Sequence, residues 1–165
     1  MSTYTLISSQ VLSGSAASIT FSSIPSTYTD LVLKMSVNLV GGSSTLSITF
    51  NSDSGTNYSG TMVYGTGSSA FSSVSSNQTY FGNWLNVSNS GIYPSTEIYI
   101  PSYTAAQNKP FSIANVNEAN TTAVTWTQAN AQLWRNTAAI NRIDITSGLS
   151  LATGSSFYLY GIKNS

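Results

Sequence analysis

General acid and base chemistry in this chain would fall to five carboxylates, because the sequence contains no histidine. A pair of carboxylates can hydrolyse a glycosidic bond, so a carbohydrate-active enzyme is one hypothesis. No two of these acids lie in a recognisable catalytic motif, and each suits a turn or a strand surface. We therefore predict that the protein is not an enzyme and has no catalytic residues. The five acids are Asp30, Asp53, Glu97, Glu118 and Asp144.

Metal and nucleophile chemistry is constrained in the same way, because the chain also lacks cysteine. Ser-His-Asp and Cys-His systems are excluded, as are zinc, haem and iron-sulfur sites with their usual ligands. Residues 51–57 alternate oxygen-bearing side chains around Gly55, which resembles a calcium loop without its bidentate Glu. A polar hairpin turn, in which Asp and Asn side chains bond the backbone, explains the same pattern. The sequence predicts no metal site and no cofactor.

Aromatic side chains are the plentiful binding groups, with ten Tyr and three Trp. Such rings offer flat surfaces of low entropy to sugars or to protein partners. The three Trp residues, Trp84, Trp126 and Trp134, are expected in the core. The predicted interaction surface consists of tyrosines beside turn signals or on the last strand, namely Tyr58, Tyr64, Tyr93, Tyr103, Tyr158 and Tyr160.

Charge is scarce, because only 6% of the residues are charged and the formal net charge is zero. Nucleic-acid binding requires clustered Lys and Arg, whereas the five basic residues here are scattered singly. The sequence contains no run of eighteen apolar residues, so we expect no membrane span. The first ten residues lack a basic region followed by an apolar core, so we expect no secretory signal and synthesis in a cytosol.

The elements that position these side chains are predicted to be strands. Residues 17–40 alternate apolar and polar side chains twice, with a break at Pro25. We expect the longer strand to begin near Thr29 and to run through the centre of the fold. Residues 46–50 alternate in the same way and are predicted to pair with residues 31–40 as a hairpin.

The last strand, residues 157–162, has apolar side chains on both faces, which predicts burial on two sides. It is the expected neighbour of the strands in residues 17–40. Residues 51–76 are rich in turn formers and are predicted to form a long loop or a loosely structured insertion, which is a candidate surface site. Further strands are expected at residues 4–11, 79–87, 92–100, 110–117 and 143–146.

The segment 122–135 shows a phase change in its alternation, because apolar side chains move from even to odd positions. A bulge near Thr127 and Gln128 would account for the change. Helix is the competing interpretation for residues 130–140. Nine or ten short strands separated by turns predict one domain over residues 1–165, an all-β antiparallel sandwich of jelly-roll type.

Three motifs resemble those of small virion proteins of tailed bacteriophages. The first is F-x-x-I-P-x-x-Y-T-D-L at residues 21–31, which leads into the second major strand. The second is F-N-x-D-x-G-x-N-Y-S at residues 50–59, and the third is G-S-x-F-x-L-Y-G-I-K at residues 154–163. With the weaker match at residues 75–78, the resemblance spans nearly the whole chain. The group includes capsid decoration (cement) proteins and fibre-like modules.

The resemblance implies a jelly-roll sandwich that assembles as a trimer, with no catalytic or ligand-binding residue to transfer. It implies a location on the capsid surface of a virion, after synthesis in the host cytoplasm, with the major capsid protein as partner. The leading hypothesis is therefore a decoration protein that stabilises the head by protein–protein contacts. The alternative is a receptor-binding or fibre module that recognises host glycans through its loops and tyrosines.

Overall fold

The computed structural model describes residues 3–87, 91–118 and 125–163, and this part of the chain is all-β, as predicted. It contains twelve strands and no helix. The strands are β1 (Thr3–Val11), β2 (Ala16–Phe21), β3 (Asp30–Ser36), β4 (Ser44–Phe50), β5 (Tyr58–Gly65), β6 (Ala70–Gln78), β7 (Asn86–Val87), β8 (Ser95–Ile100), β9 (Lys109–Glu118), β10 (Thr125–Trp134), β11 (Ile143–Leu151) and β12 (Ser156–Lys163).

The strands form two antiparallel sheets. The larger sheet has eight strands in the order β1-β12-β3-β8-β9-β10-β5-β6, and the smaller has four in the order β2-β11-β4-β7. We call the side of the larger sheet that faces the core its inner face, and the opposite side its outer face. Strands β5, β6, β9 and β10 form one end of the larger sheet and are called the extension.

The hydrophobic core lies between the two sheets and has an aromatic centre. Phe50 of β4 is fully buried, and its ring lies 4.8 Å from that of Phe81 and 5.3 Å from that of Phe111 on β9. Trp134 of β10 packs on the same ring at 5.5 Å. The inward side chains of β9 alternate strictly with exposed ones, which is the burial pattern of a strand with one face on a core.

The predicted pairing of the last strand with residues 17–40 is confirmed, because β12 pairs with β3. The predicted hairpin between residues 31–40 and 46–50 is wrong, because β3 lies in the larger sheet and β4 in the smaller. Both strands have one apolar face, and these faces meet across the core. Period-2 alternation is the same whether two strands pair edge to edge or pack face to face.

The predicted loop over residues 51–76 is also wrong, because most of it belongs to a hairpin. Strands β5 and β6 pair from Tyr58 to Gly65 and from Ala70 to Gln78, with one register shift. Nearly every residue of β6 is exposed. A strand exposed on both faces needs no apolar alternation, so the serine-rich sequence carries no strand signal.

Strand β10 runs without the predicted bulge, and it excludes the helix interpretation up to Trp134. It pairs in unbroken register with β9 and with β5. The even-numbered residues face inward throughout, so Gln128, Asn130 and Gln132 are buried amides. The apparent phase change therefore marks polar residues on the inner face, and the predicted strand residues 122–124 lie outside the described part of the chain. The strand expected at residues 79–87 is reduced to β7 and one bridge between Ile48 and Phe81.

Candidate binding surfaces

The outer face of the eight-stranded sheet carries the first candidate surface. Tyr160 on β12 is paired with Leu6 on β1 and with Val32 on β3, so these side chains form one row across the sheet. The ring of Tyr4 meets that of Tyr160 edge to face at 6.4 Å. The exposed large apolar residues of this face are Tyr4, Leu6, Val11, Val63, Val74, Tyr99 and Val116.

Within the extension, the outer face is formed by small apolar side chains. Val63 on β5, Ala129 on β10 and Ala114 on β9 occupy adjacent strands in one row. They line a shallow hollow of about 650 Å³. The hollow is open to solvent and does not enclose a small ligand.

Charged groups are few on this face. The Nζ atom of Lys34 lies 3.0 Å from Oε2 of Glu97, and this hydrogen bond raises the pKa of Lys34. Asp30 is buried and accepts hydrogen bonds from the Tyr99 hydroxyl at 3.0 Å and from the backbone N–H of Ser102 at 2.8 Å. Lys34, Glu97 and Asp30 therefore all have hydrogen-bonding or ion-pair partners within the protein.

Two of the predicted surface tyrosines lie in the core, so the expectation that their rings are exposed is wrong. Tyr58 is 1% exposed, and its hydroxyl accepts a hydrogen bond from the Phe50 backbone N–H at 3.0 Å. Burial raises its pKa. Tyr103 is fully buried and donates a hydrogen bond to the carbonyl of Pro25. Turn residues flank both rings in sequence, but the hydroxyls satisfy backbone groups inside the fold.

The other four predicted tyrosines reach solvent, and they do not form one surface. Tyr158 and Tyr160 are half-buried on the outer face. Tyr64 lies on the inner face of the extension and stacks on Phe71 at 4.8 Å. Tyr93 lies in the segment before β8 and donates a hydrogen bond to a backbone carbonyl. Burial on both sides of β12 is therefore incomplete, because its two tyrosines keep partial contact with solvent.

Asp53 lies at the centre of the segment that resembles a calcium loop. Its carboxylate accepts hydrogen bonds from the backbone N–H of Gly55 at 2.9 Å, from Asn57 Nδ2 at 2.9 Å and from Trp134 Nε1 at 2.7 Å. Burial acts to raise the pKa of Asp53, but these hydrogen bonds outweigh it and the pKa is lowered. The interpretation as a polar turn is confirmed, although it joins strands of different sheets rather than a hairpin.

A second candidate site lies on the inner face of the extension, and Tyr64 is the one residue of the predicted interaction surface among the residues that line it. Trp84 and Trp126 are only half-buried there, so their expected place in the core is wrong, whereas Trp134 is a core residue as predicted. A cleft of about 150 Å³ opens between the segment before β7 and strands β5 and β10. Its lining residues are Met62, Tyr64, Trp84, Asn86, Trp126 and Gln128.

Buried amides extend from the cleft along the inner face. Asn115 accepts a hydrogen bond from Trp126 Nε1 at 3.3 Å and donates one to the Thr96 hydroxyl at 2.9 Å. Gln128 Nε2 donates to Oδ1 of Asn130 at 3.0 Å. The sequence signal for this row is the Gln-x-Asn-x-Gln spacing between Trp126 and Trp134, which places three amides on one face of a strand.

The described residues contain no group of three or more Asp, Glu, His or Cys side chains arranged to hold a metal ion. Within the same ranges, no helix is long and apolar enough to cross a membrane. Comparison of the chain with protein-family models, with curated proteins and with solved structures yields no match.

Proposed function

We propose that this protein is a non-enzymatic capsid decoration (cement) protein of a tailed bacteriophage. It lies on the outside of the head and binds the major capsid protein through the outer face of its eight-stranded sheet. The observation that carries the proposal is the outer face itself, because most of the exposed large apolar side chains of the described chain lie on it. Large exposed apolar surfaces on soluble domains mark interaction sites.

The strand pairing supports the jelly-roll part of the proposal. A jelly roll can be described as a long antiparallel ribbon wrapped into two sheets, in which early strands pair with late strands in reverse order. Here β1 pairs with β12, β2 with β11, β3 with β8, and β4 with β7. The hairpins β5–β6 and β9–β10 are then insertions that widen one sheet into the extension.

The chemistry of the outer face favours a protein as its partner. Tyrosine and valine side chains lose little conformational entropy on docking, and they surround the paired charges of Lys34 and Glu97. A nucleic acid or an anionic lipid surface would require clustered basic residues. The carboxylates support the non-enzymatic part, because Asp30, Asp53 and Asp144 each accept hydrogen bonds that belong to the fold.

The mechanism is stabilisation by mass action. A protein that binds the assembled lattice and not its separated subunits lowers the free energy of the assembled state. Apolar burial on the outer face provides the driving force, and no chemical step is required. Heads that carry the protein should therefore rupture at a higher temperature than heads without it.

We expect a lysine on the outer face to abolish most of the binding to heads. Leu6→Lys and Val63→Lys each place a charge on the outer face, which we call the docking surface, towards opposite ends of the sheet. Burying that charge on docking should weaken binding at least tenfold, or about 1.4 kcal/mol. The measurement is co-sedimentation of the purified protein with heads of the encoding phage that were assembled without it.

Ser18→Lys is the matched control, because Ser18 is an exposed strand residue on the smaller sheet. It adds the same charge on the opposite side of the molecule and should bind like the wild type. Melting temperatures of all three variants establish that they fold. Wild-type binding by both outer-face variants, or a location of the protein on the tail, would contradict the proposal.

We also propose that the protein acts as a trimer. Both edge strands of the larger sheet, β1 and β6, have no partner among the described strands on one side, and β6 has no charged residue or proline. Such edges are available for pairing with another chain. Light scattering at micromolar concentration should give about three times the chain mass of 17.4 kDa. A monomer mass, together with single unpaired copies on the particle, would refute the trimer.

A further inference from the structure

We propose that the cleft on the inner face of the extension binds one unit of a neutral carbohydrate. This site is distinct from the docking surface, because it lies on the opposite face of the same strands. Three aromatic residues, Tyr64, Trp84 and Trp126, and two amides, Asn86 and Gln128, surround it. The volume of about 150 Å³ is comparable with that of a single pyranose ring.

The aromatic residues supply the part of the site that a sugar ring requires. The apolar C–H face of a pyranose packs on flat indole and phenol rings, which offer large contact area at low entropic cost. Trp84 and Trp126 are half-buried and approach the cleft from different segments of the chain. Tyr64 is held in place by its stacking on Phe71 at an interplanar angle of 16°.

Asn86 and Gln128 supply the amide groups of the cleft itself, and a row of buried amides that do not line it continues along β9 and β10. Nδ2 of Asn130 and Nε2 of Gln132 are buried donors without an acceptor, and both atoms of the Asn117 amide are also unpaired. These residues are 5%, 5% and 1% exposed. A buried unpaired amide destabilises a fold unless a ligand or water satisfies it. Gln128 links the cleft to this row through its hydrogen bond to Asn130.

Because the residues that line the cleft are uncharged, the cleft favours neutral over charged polar ligands. None of the residues that line the cleft is ionisable near neutral pH, and the amide row behind it is also uncharged. An anionic sugar would lose its hydration without gaining an ion pair. Hydroxyl groups match amide donors and acceptors without that cost. The ligand class is therefore a neutral hexose or N-acetylhexosamine.

The test is a titration of the full chain with methyl glycosides of glucose, galactose, mannose and N-acetylglucosamine, and with methyl glucuronide as the anionic comparison. Tryptophan fluorescence and the side-chain amide signals of Asn86 and Gln128, which line the cleft, report binding. We expect at least one neutral glycoside to saturate both signals and the glucuronide to leave them unchanged. Oligosaccharides that end in the binding sugar are titrated in the same way. Their affinity, compared with that of the single sugar, distinguishes a glycan terminus from a monosaccharide as the ligand.

Trp84→Ala should weaken binding of that glycoside about tenfold, because it removes one aromatic wall. Tyr93→Ala is the matched control, because it removes an exposed aromatic ring outside the cleft. No saturable shift with any neutral glycoside, or equal binding by Trp84→Ala and the wild type, would overturn the proposal. Head binding by Trp84→Ala should be unchanged, so failure of the sugar site is separable from failure of the docking surface.

Discussion

Replacing Phe50 by alanine is expected to lower the free energy of unfolding by about 4 kcal/mol. Phe50 is fully buried between the two sheets, and its ring contacts those of Phe81, Phe111 and Trp134 at 4.8 to 5.5 Å. Alanine leaves a cavity bounded by stiff rings from the larger sheet and from the segment between β6 and β7, and these rings have little freedom to collapse into it. Denaturant unfolding followed by tryptophan fluorescence measures the change.

Phe71→Ala is the matched control for this prediction. Phe71 is 46% exposed on β6, so the same substitution there should cost less than about 1 kcal/mol. Phe50→Leu keeps most of the buried volume and should lie between the two. Similar losses for Phe50→Ala and Phe71→Ala would mean that the two sheets do not share the core described above.

The parts of the fold that sequence predicts are those in which one strand face is apolar. Strand β3 follows from alternation, and its neighbour β12 follows from a run of apolar side chains on both faces. The partner of β4 does not follow, since alternation reports burial and not the sheet in which a strand lies. The hairpin β5–β6 gives no signal because solvent reaches both of its faces.

The sequence predicts part of the outer-face surface, but it does not predict the cleft. Tyr158 and Tyr160 lie on the outer face. The sequence indicates this surface, because β12 has apolar side chains on both of its faces. Turn residues near Tyr58 and Tyr103 predict exposed rings, yet both rings are buried in the core and their hydroxyls bond backbone groups of distant residues. The cleft depends on Trp84 and Trp126 meeting from distant segments, which no local pattern encodes.

Acid should destabilise the protein partly through Asp53, and this effect is the second large one that we expect. The folded-state pKa of Asp53 is lowered, so the carboxylate contributes stability that is present above its unfolded value of about 3.9. That contribution is lost as the pH falls through the lowered folded-state value. The unfolding free energy should therefore be nearly constant from pH 7 to about 5 and should decrease below about pH 4.

Asp53→Asn isolates this contribution, because both carboxylate oxygens accept hydrogen bonds. Oδ2 accepts from Trp134 and Oδ1 from Gly55, so either orientation of an asparagine amide places its NH₂ group against a donor. We expect a loss of about 2 kcal/mol at pH 7, limited by the partial exposure of the carboxylate, and a weaker dependence on acid. Glu97→Gln is the control, since it removes an exposed ion pair worth less than about 1 kcal/mol. If Asp53→Asn keeps the full acid dependence of the wild type, the stabilising carboxylate lies elsewhere. Asp144 is then the next residue to replace, because hydrogen bonds outweigh its burial and lower its pKa as well.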